Sequence, residues 1–225
     1  DFYEMFYEDA ITVSRALDLT LTSRSKSRDG TGIPMCGVPA HAGDVYLARL
    51  VKKGFRVAVC EQVEDARHTK GTKQPVRREI VRVVSPGTLT DPNDLETAEP
   101  SFLMAISAFG STFGAALIDL STGEFTAAEY FGKHGSQAVI DEMAIIGPRE
   151  ILVSTDLDLD ESFSALSEAP AVITKLEPWI FSYDSASELL CEQLQVHSLE
   201  GFAMADREAA TMAAGALIHY LRDTQ

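Results

Sequence analysis

The chain has 225 residues, 45% of them hydrophobic and 24% charged, a composition that supports a packed core and leaves room for one large domain or two ordinary ones. No apolar run reaches the roughly 18 residues that span a bilayer, no basic-then-apolar leader is present, and the three scattered cysteines, Cys36, Cys60 and Cys191, suit buried thiols in a reducing compartment better than a disulfide framework. The formal charge of −15 would argue against a nucleic-acid partner if it were even, but residues 1–90 hold 14 Lys and Arg against 11 acids, a net of +3, while residues 91–225 hold 5 against 23, a net of −18.

The chain opens DFYEMFYEDA, and Phe2, Met5, Phe6, Ala10, Val13, Ala16 and Leu17 share one face of a 3.6-residue period, which predicts a helix over 2–17. On that reading alone Phe2 is a core or staple residue. Leu19 to Thr22 alternates and predicts a short strand. The stretch GIPMCGVPAHA, with two prolines and two glycines, predicts a shaped loop or short strand. A helix follows over 43–53 with Gly54 in the stop position, then a buried-type strand at 55–62 and another at 79–85. Basic residues cluster beside these elements. Arg24, Lys26 and Arg28 lie in a Ser/Gly-rich loop, Lys52, Lys53 and Arg56 close a helix, and Arg67, Lys70, Lys73, Arg77 and Arg78 fill a second loop. Such loops suit phosphate contact, because each neutralised phosphate releases counterions, although loop Lys and Arg are ordinarily just solvated.

The stretch PGTLTDPNDLETAEP has no periodicity and reads as a linker. Strands are predicted at 102–109 and across 112–131, with turns at Gly110–Ser111 and Ser121–Gly123. A helix over 135–146, a strand at 150–154 and an acidic loop (Asp156, Asp158, Asp160, Glu161) come next. Ser185 and Glu188 have the spacing of a capping box opening a helix at 186–195, and the Ala-rich tail is helical. Antiparallel strands followed by helix–strand alternation predict a mixed α/β sheet with helices packed on it.

The sequence carries no GxxxxGK[ST] loop, no GxGxxG after a strand and no GxSxG elbow. The Cys and His spacing matches no structural metal site, so no metal and no catalytic residue are assigned. An alternative enzyme reading remains: Asp119 with Glu124, Asp141 and Glu142 as a divalent-metal nuclease on a mixed sheet. Against it, acids are so frequent in this half that such a set arises by chance, and a net −18 repels a phosphate backbone.

Taken in order, DFYE, LDLTLTSR, IPMCGVPAHA, LVKKGFRVAVCEQ, REIVRVVSPGT and AAGALIHYLRDTQ resemble the front of the MutS family of bacterial DNA mismatch repair proteins. The resemblance covers essentially the whole chain. It implies a fragment with two α/β domains: a small mixed-sheet mismatch-recognition domain at 1–88 lacking its first strand, a linker at 89–100, and a ribonuclease H-like connector domain at 101–225. It also implies that the fragment is not an enzyme, since the family's ATP and Mg²⁺ belong to an ATPase domain beyond these residues.

In that family an aromatic stacks on a mispaired base from the minor groove and a nearby Glu hydrogen-bonds to it. Those roles map onto Phe2 and Glu4. Arg24, Lys26 and Arg28 are the best candidates for backbone contact, with Met35 a neighbour of the wedge, and the resemblance further implies mismatched duplex DNA and MutL as partners, a homodimer in the full-length protein, and a cytoplasmic, nucleoid-associated location without membrane contact.

Overall fold

The computed structural model describes residues 1–26, 32–64, 76–89, 101–157 and 170–224, with only the backbone for 24–26 and 133. The chain divides into two compact units, Asp1–Leu89 and Thr90–Gln225.

In the first unit, strand β1 (Phe2–Phe6) runs straight into helix α1 (Tyr7–Leu17), followed by β2 (Thr22–Lys26), β3 (Gly32–Pro39), helix α2 (Gly43–Lys52), β4 (Val57–Gln62) and β5 (Arg78–Val84). The sheet order is β1-β3-β2, antiparallel throughout, and β4 pairs with β5 as a separate ribbon. The single helix expected over 2–17 is therefore a strand followed by a helix. Residues 2–6, FYEMF, are mostly aromatic or long apolar side chains suited to a pleated surface, and pairing of all five with residues 35–39 of β3 outweighs their fit to a helical face. The strand expected at Leu19–Thr22 begins three residues later, after α1 ends in a left-handed Asp18 (φ 55°).

Ala10 of α1 and Cys36 and Val38 of β3 are all buried, and the Cys36 thiol donates to the Ala10 carbonyl at 3.4 Å. Burial pushes that thiol's pKa up, as suits a packing residue rather than a nucleophile. A second cluster joins Val51 of α2 with Val84 and Leu89. Strand β4 does not have the buried character expected of it: only alternate residues are partly covered, and Cys60 is exposed rather than a buried thiol. Only the end of the ribbon that carries Val57 and Val84 packs against α2, and farther along it Ile80 and Val81 are exposed.

The second unit contains β6 (Phe102–Phe109), β7 (Thr112–Asp119), β8 (Glu124–Phe131), helix α3 (Gly135–Ile146), β9 (Glu150–Ser154), β10 (Val172–Leu176), helix α4 (Tyr183–Leu194) and helix α5 (Glu208–Thr224). Its sheet order is β10-β9-β6-β7-β8. β6, β7 and β8 form an antiparallel meander, and β9 and β10 extend it in parallel. This is the arrangement of a ribonuclease H-like sheet.

One face packs Leu103, Ala105 and Ala116 against Ala213, Ala214 and Leu217 of α5; the other packs Met104, Ile106 and Ala115 against Val139 and Met143 of α3. The Ala-rich tail lets α5 lie close: a Cβ built on Gly114 would fall 2.1 Å from the Ala209 carbonyl oxygen. Helix α4 starts at Tyr183, three residues before the expected position, and its N-cap Ser182 makes no side-chain bond, so the Ser185–Glu188 spacing lies inside the helix rather than capping it. The expected linker falls almost wholly at 90–100, outside the described residues.

Candidate nucleic-acid interface

In a strand, alternate side chains share a face. Along β1 this puts Phe2, Glu4 and Phe6 on one exposed face and the half-buried Tyr3 and Met5 on the other. The register with β3 pairs Phe2 with Pro39, Glu4 with Gly37 and Phe6 with Met35. The exposed face is thus a two-strand platform of Phe2, Glu4 and Phe6 beside Pro39, Gly37 and Met35. Phe2 is 63% exposed, far from the core position that a helix reading assigns it. Met35 shares the face with Phe2 and Glu4, two register steps from the ring.

Tyr3 holds the strand from behind. Its hydroxyl donates to the Glu61 carboxylate of β4, and its ring lies against the start of α2, where a Cβ on Gly43 would come within 2.9 Å of it. The bond to Glu61 raises the Tyr3 pKa, with desolvation and the Glu61 and Asp44 charges acting the same way and Arg82 opposing them. Arg82 of β5 in turn bonds Asp44 of α2 at 3.0 Å. Strand β1, helix α2 and the β4–β5 ribbon are therefore linked by polar contacts as well as by the chain.

Arg24 and Lys26 lie on strand β2 rather than in a loop, and Arg28 is outside the described residues, as are Arg67, Lys70 and Lys73. Arg77 pairs with Glu79. Lys52 ends α2 and Lys53 follows as its cap residue, the positions where cations complement a helix C-terminus.

In the second unit, Asp119 is buried and its two oxygens accept from the Ser101 and Ser121 amides and the Ser121 and Thr122 hydroxyls at 2.7–3.3 Å. Burial alone would raise its pKa, but these donors outweigh burial and the net shift is downward. Its carboxylate is committed to closing the turn after β7. Glu142 is shifted the other way, upward, by burial, and Asp141 accepts from Gln137. Among the described residues no three His, Cys, Asp or Glu side chains gather as a metal site. A cavity of about 530 Å³ lies at the carboxyl ends of β6 and β9. Two of its polar groups are already used locally: Ser107 bonds the Ala209 carbonyl and Ser154 bonds Asp156.

Residues 1–93 match the family model described as MutS domain I, and residues 101–225 match that described as MutS domain II. The chain belongs to the MutS family. It is 47% identical over its whole length to the DNA mismatch repair protein MutS of Solibacter usitatus, covering 25% of that protein. It is 42% identical, again over its full length, to the namesake protein of Syntrophomonas wolfei (26% of it), and 39% identical over 99% of its length to that of Symbiobacterium thermophilum (25% of it). The chain therefore spans about a quarter of the length of these MutS relatives. Among its described residues no helix is long and apolar enough to cross a membrane.

Sequence reasoning did not single out Tyr3, Gly37 or Glu61. The signal for the first two was available: the alternation in FYEMF and IPMCGVP, read with period two, places Tyr3 opposite Phe2 and Glu4 and puts Gly37 on a shared face.

Proposed function

We propose that the first unit tests duplex DNA for mispaired or unpaired bases from the minor groove, in post-replicative mismatch repair. Phe2 acts as the wedge and Glu4 as the hydrogen-bonding probe. The observation that carries this reading is the joint exposure of Phe2 and Glu4 on one face of an edge strand, where a phenyl ring and a carboxylate reach the same ligand together.

The energetics favour selective rather than general binding. Stacking a base on an aromatic is worth about 1–3 kcal/mol, while unstacking a step to admit the wedge costs a few kcal/mol. For matched DNA the two nearly cancel. A mispair has already lost part of its pairing and stacking, so the same insertion becomes net favourable. Glu4 adds a penalty against ordinary duplex, since an anion near phosphates is repelled.

The remaining assignments are part of the same proposal. Arg24, Lys26 and Arg28 contact the DNA backbone. The acidic second unit acts as a connector, linking recognition to the rest of a longer, homodimeric ATPase and to MutL, and itself catalyses nothing. The place of action is the bacterial cytoplasm, at the nucleoid.

The test is fluorescence anisotropy at low salt with a G·T-mismatched duplex and its matched control, comparing the chain with Phe2→Ala. Preferential binding of the mismatch that disappears in Phe2→Ala is the expected result. Equal affinity for both duplexes, unchanged by the substitution, would reduce the platform to an exposed patch with no role in recognition.

A further inference from the structure

The position opposite Glu4 is a glycine in the middle of a strand. Mid-strand glycine weakens a sheet because it loses more backbone freedom on folding and packs no side chain. Two ordinary reasons for glycine are weak here. Gly37 is not among the residues with positive φ, so its backbone suits any residue. Its surroundings also nearly admit a methyl group: an added Cβ would meet the Phe2 ring (Cδ1) at 3.7 Å and the Glu4 side chain (Cγ) at 3.8 Å, both ordinary contacts, with only the Tyr3 carbonyl oxygen tight at 3.1 Å. What a side chain would take up is the space between the ring and the carboxylate.

We propose that Gly37 is a specificity-determining residue: its missing side chain keeps open a slot between Phe2 and Glu4 that receives the edge of the probed base. The inference rests on the reading of Phe2 and Glu4 given above. Glycine within a strand often marks close approach by a ligand or another backbone. Here the approach is flanked by the stacking ring on one side and the hydrogen-bonding carboxylate on the other. Pro39 and Met35, the neighbours of Gly37 on this face, pair with Phe2 and Phe6 and so border the slot rather than floor it. A methyl at position 37 lifts the base off the floor and separates stack from hydrogen bond, so the two no longer act on one base together.

The experiment measures mismatch-over-match affinity ratios and melting temperatures for the chain, Gly37→Ala, Phe2→Ala and the double variant, using the same two duplexes. The expected result for Gly37→Ala is a ratio lowered by roughly tenfold, the worth of a partly lost base stack. The double variant should be no worse than Phe2→Ala, because neighbours serving one contact are not additive. A Gly37→Ala chain that keeps its full ratio while Phe2→Ala loses it overturns the slot and leaves the functional reading standing. Losses that add in the double variant overturn it too, because they show that the methyl acts by disturbing the sheet through the Tyr3 contact. A parent chain that does not discriminate overturns the functional reading and the slot together.

Discussion

Tyr220→Phe removes one oxygen from the second unit and little else. Tyr220 is 2% exposed, and its hydroxyl donates to Glu150 Oε1 at 2.8 Å. Glu150 is fully buried at the start of β9, and the Thr174 hydroxyl of β10 donates to the same oxygen. The phenyl ring of the variant keeps the packing of Tyr220 among Leu103, Leu152 and Leu217, so no sizeable cavity adds to the cost. What is lost is a donor to a buried carboxylate. Hydrogen bonds to charged groups are worth about 1.5–3 kcal/mol, and because the Thr174 hydroxyl still donates to the same oxygen, the loss is that of one bond. For a chain of this size each kcal/mol moves the melting temperature by about 2–4 °C, so Tyr220→Phe should melt about 3–12 °C lower. Calorimetry or far-UV circular dichroism reads this directly at neutral pH. A change under about 1 °C would refute the reasoning, because it would mean that the buried carboxylate does not depend on this hydroxyl for its solvation.

Two further outcomes are expected. Glu4→Gln keeps a hydrogen-bonding group while removing the charge, so matched-duplex affinity should rise and selectivity fall; unchanged affinity for matched DNA in the anisotropy assay counts against a repulsive role for Glu4. Asp119 has a pKa held below its ordinary value of 3.8, so the stability it contributes is present above that value and is lost as pH falls through its own lower one. Asp119→Asn should therefore melt lower than the parent at pH 7, with the gap narrowing below about pH 4, and a gap that stays constant into stronger acid would show that the charge on Asp119 is not what stabilises the turn.

Much of the second unit was legible because its elements carry strong local signals. The β6–β7 hairpin is bracketed by Gly110 and Ser111, and α3 ends at a left-handed Gly147. The first unit was harder to read. Phe2 and Phe6, four residues apart, share a face in a helix and in a strand alike, and only pairing with β3, about thirty residues away, decides between them. Local patterns do not record such contacts. The same partner decides the site. Glu4 and Phe2 could be nominated from resemblance, but the register that sets Gly37 between them depends on which residue of β3 lies opposite, and that was not legible without the sheet. The Ser185–Glu188 spacing failed for a related reason: the turn at Pro178–Phe181 starts α4 early and leaves the motif inside the helix.

The junction between β1 and α1 has a mechanical consequence. Strand passes to helix with no intervening residue, through Tyr7 at φ 54°, a left-handed geometry that a bulky residue adopts only at a cost of order 1 kcal/mol. A loop at this point would act as a spring, absorbing a push on the ring at Phe2 as small changes spread over several dihedrals. Here there is no such slack. Load applied at the tip of β1 passes through one fixed joint into α1 and sideways into β3 through the ladder that all five strand residues make with it, so tip, helix and sheet take it up together.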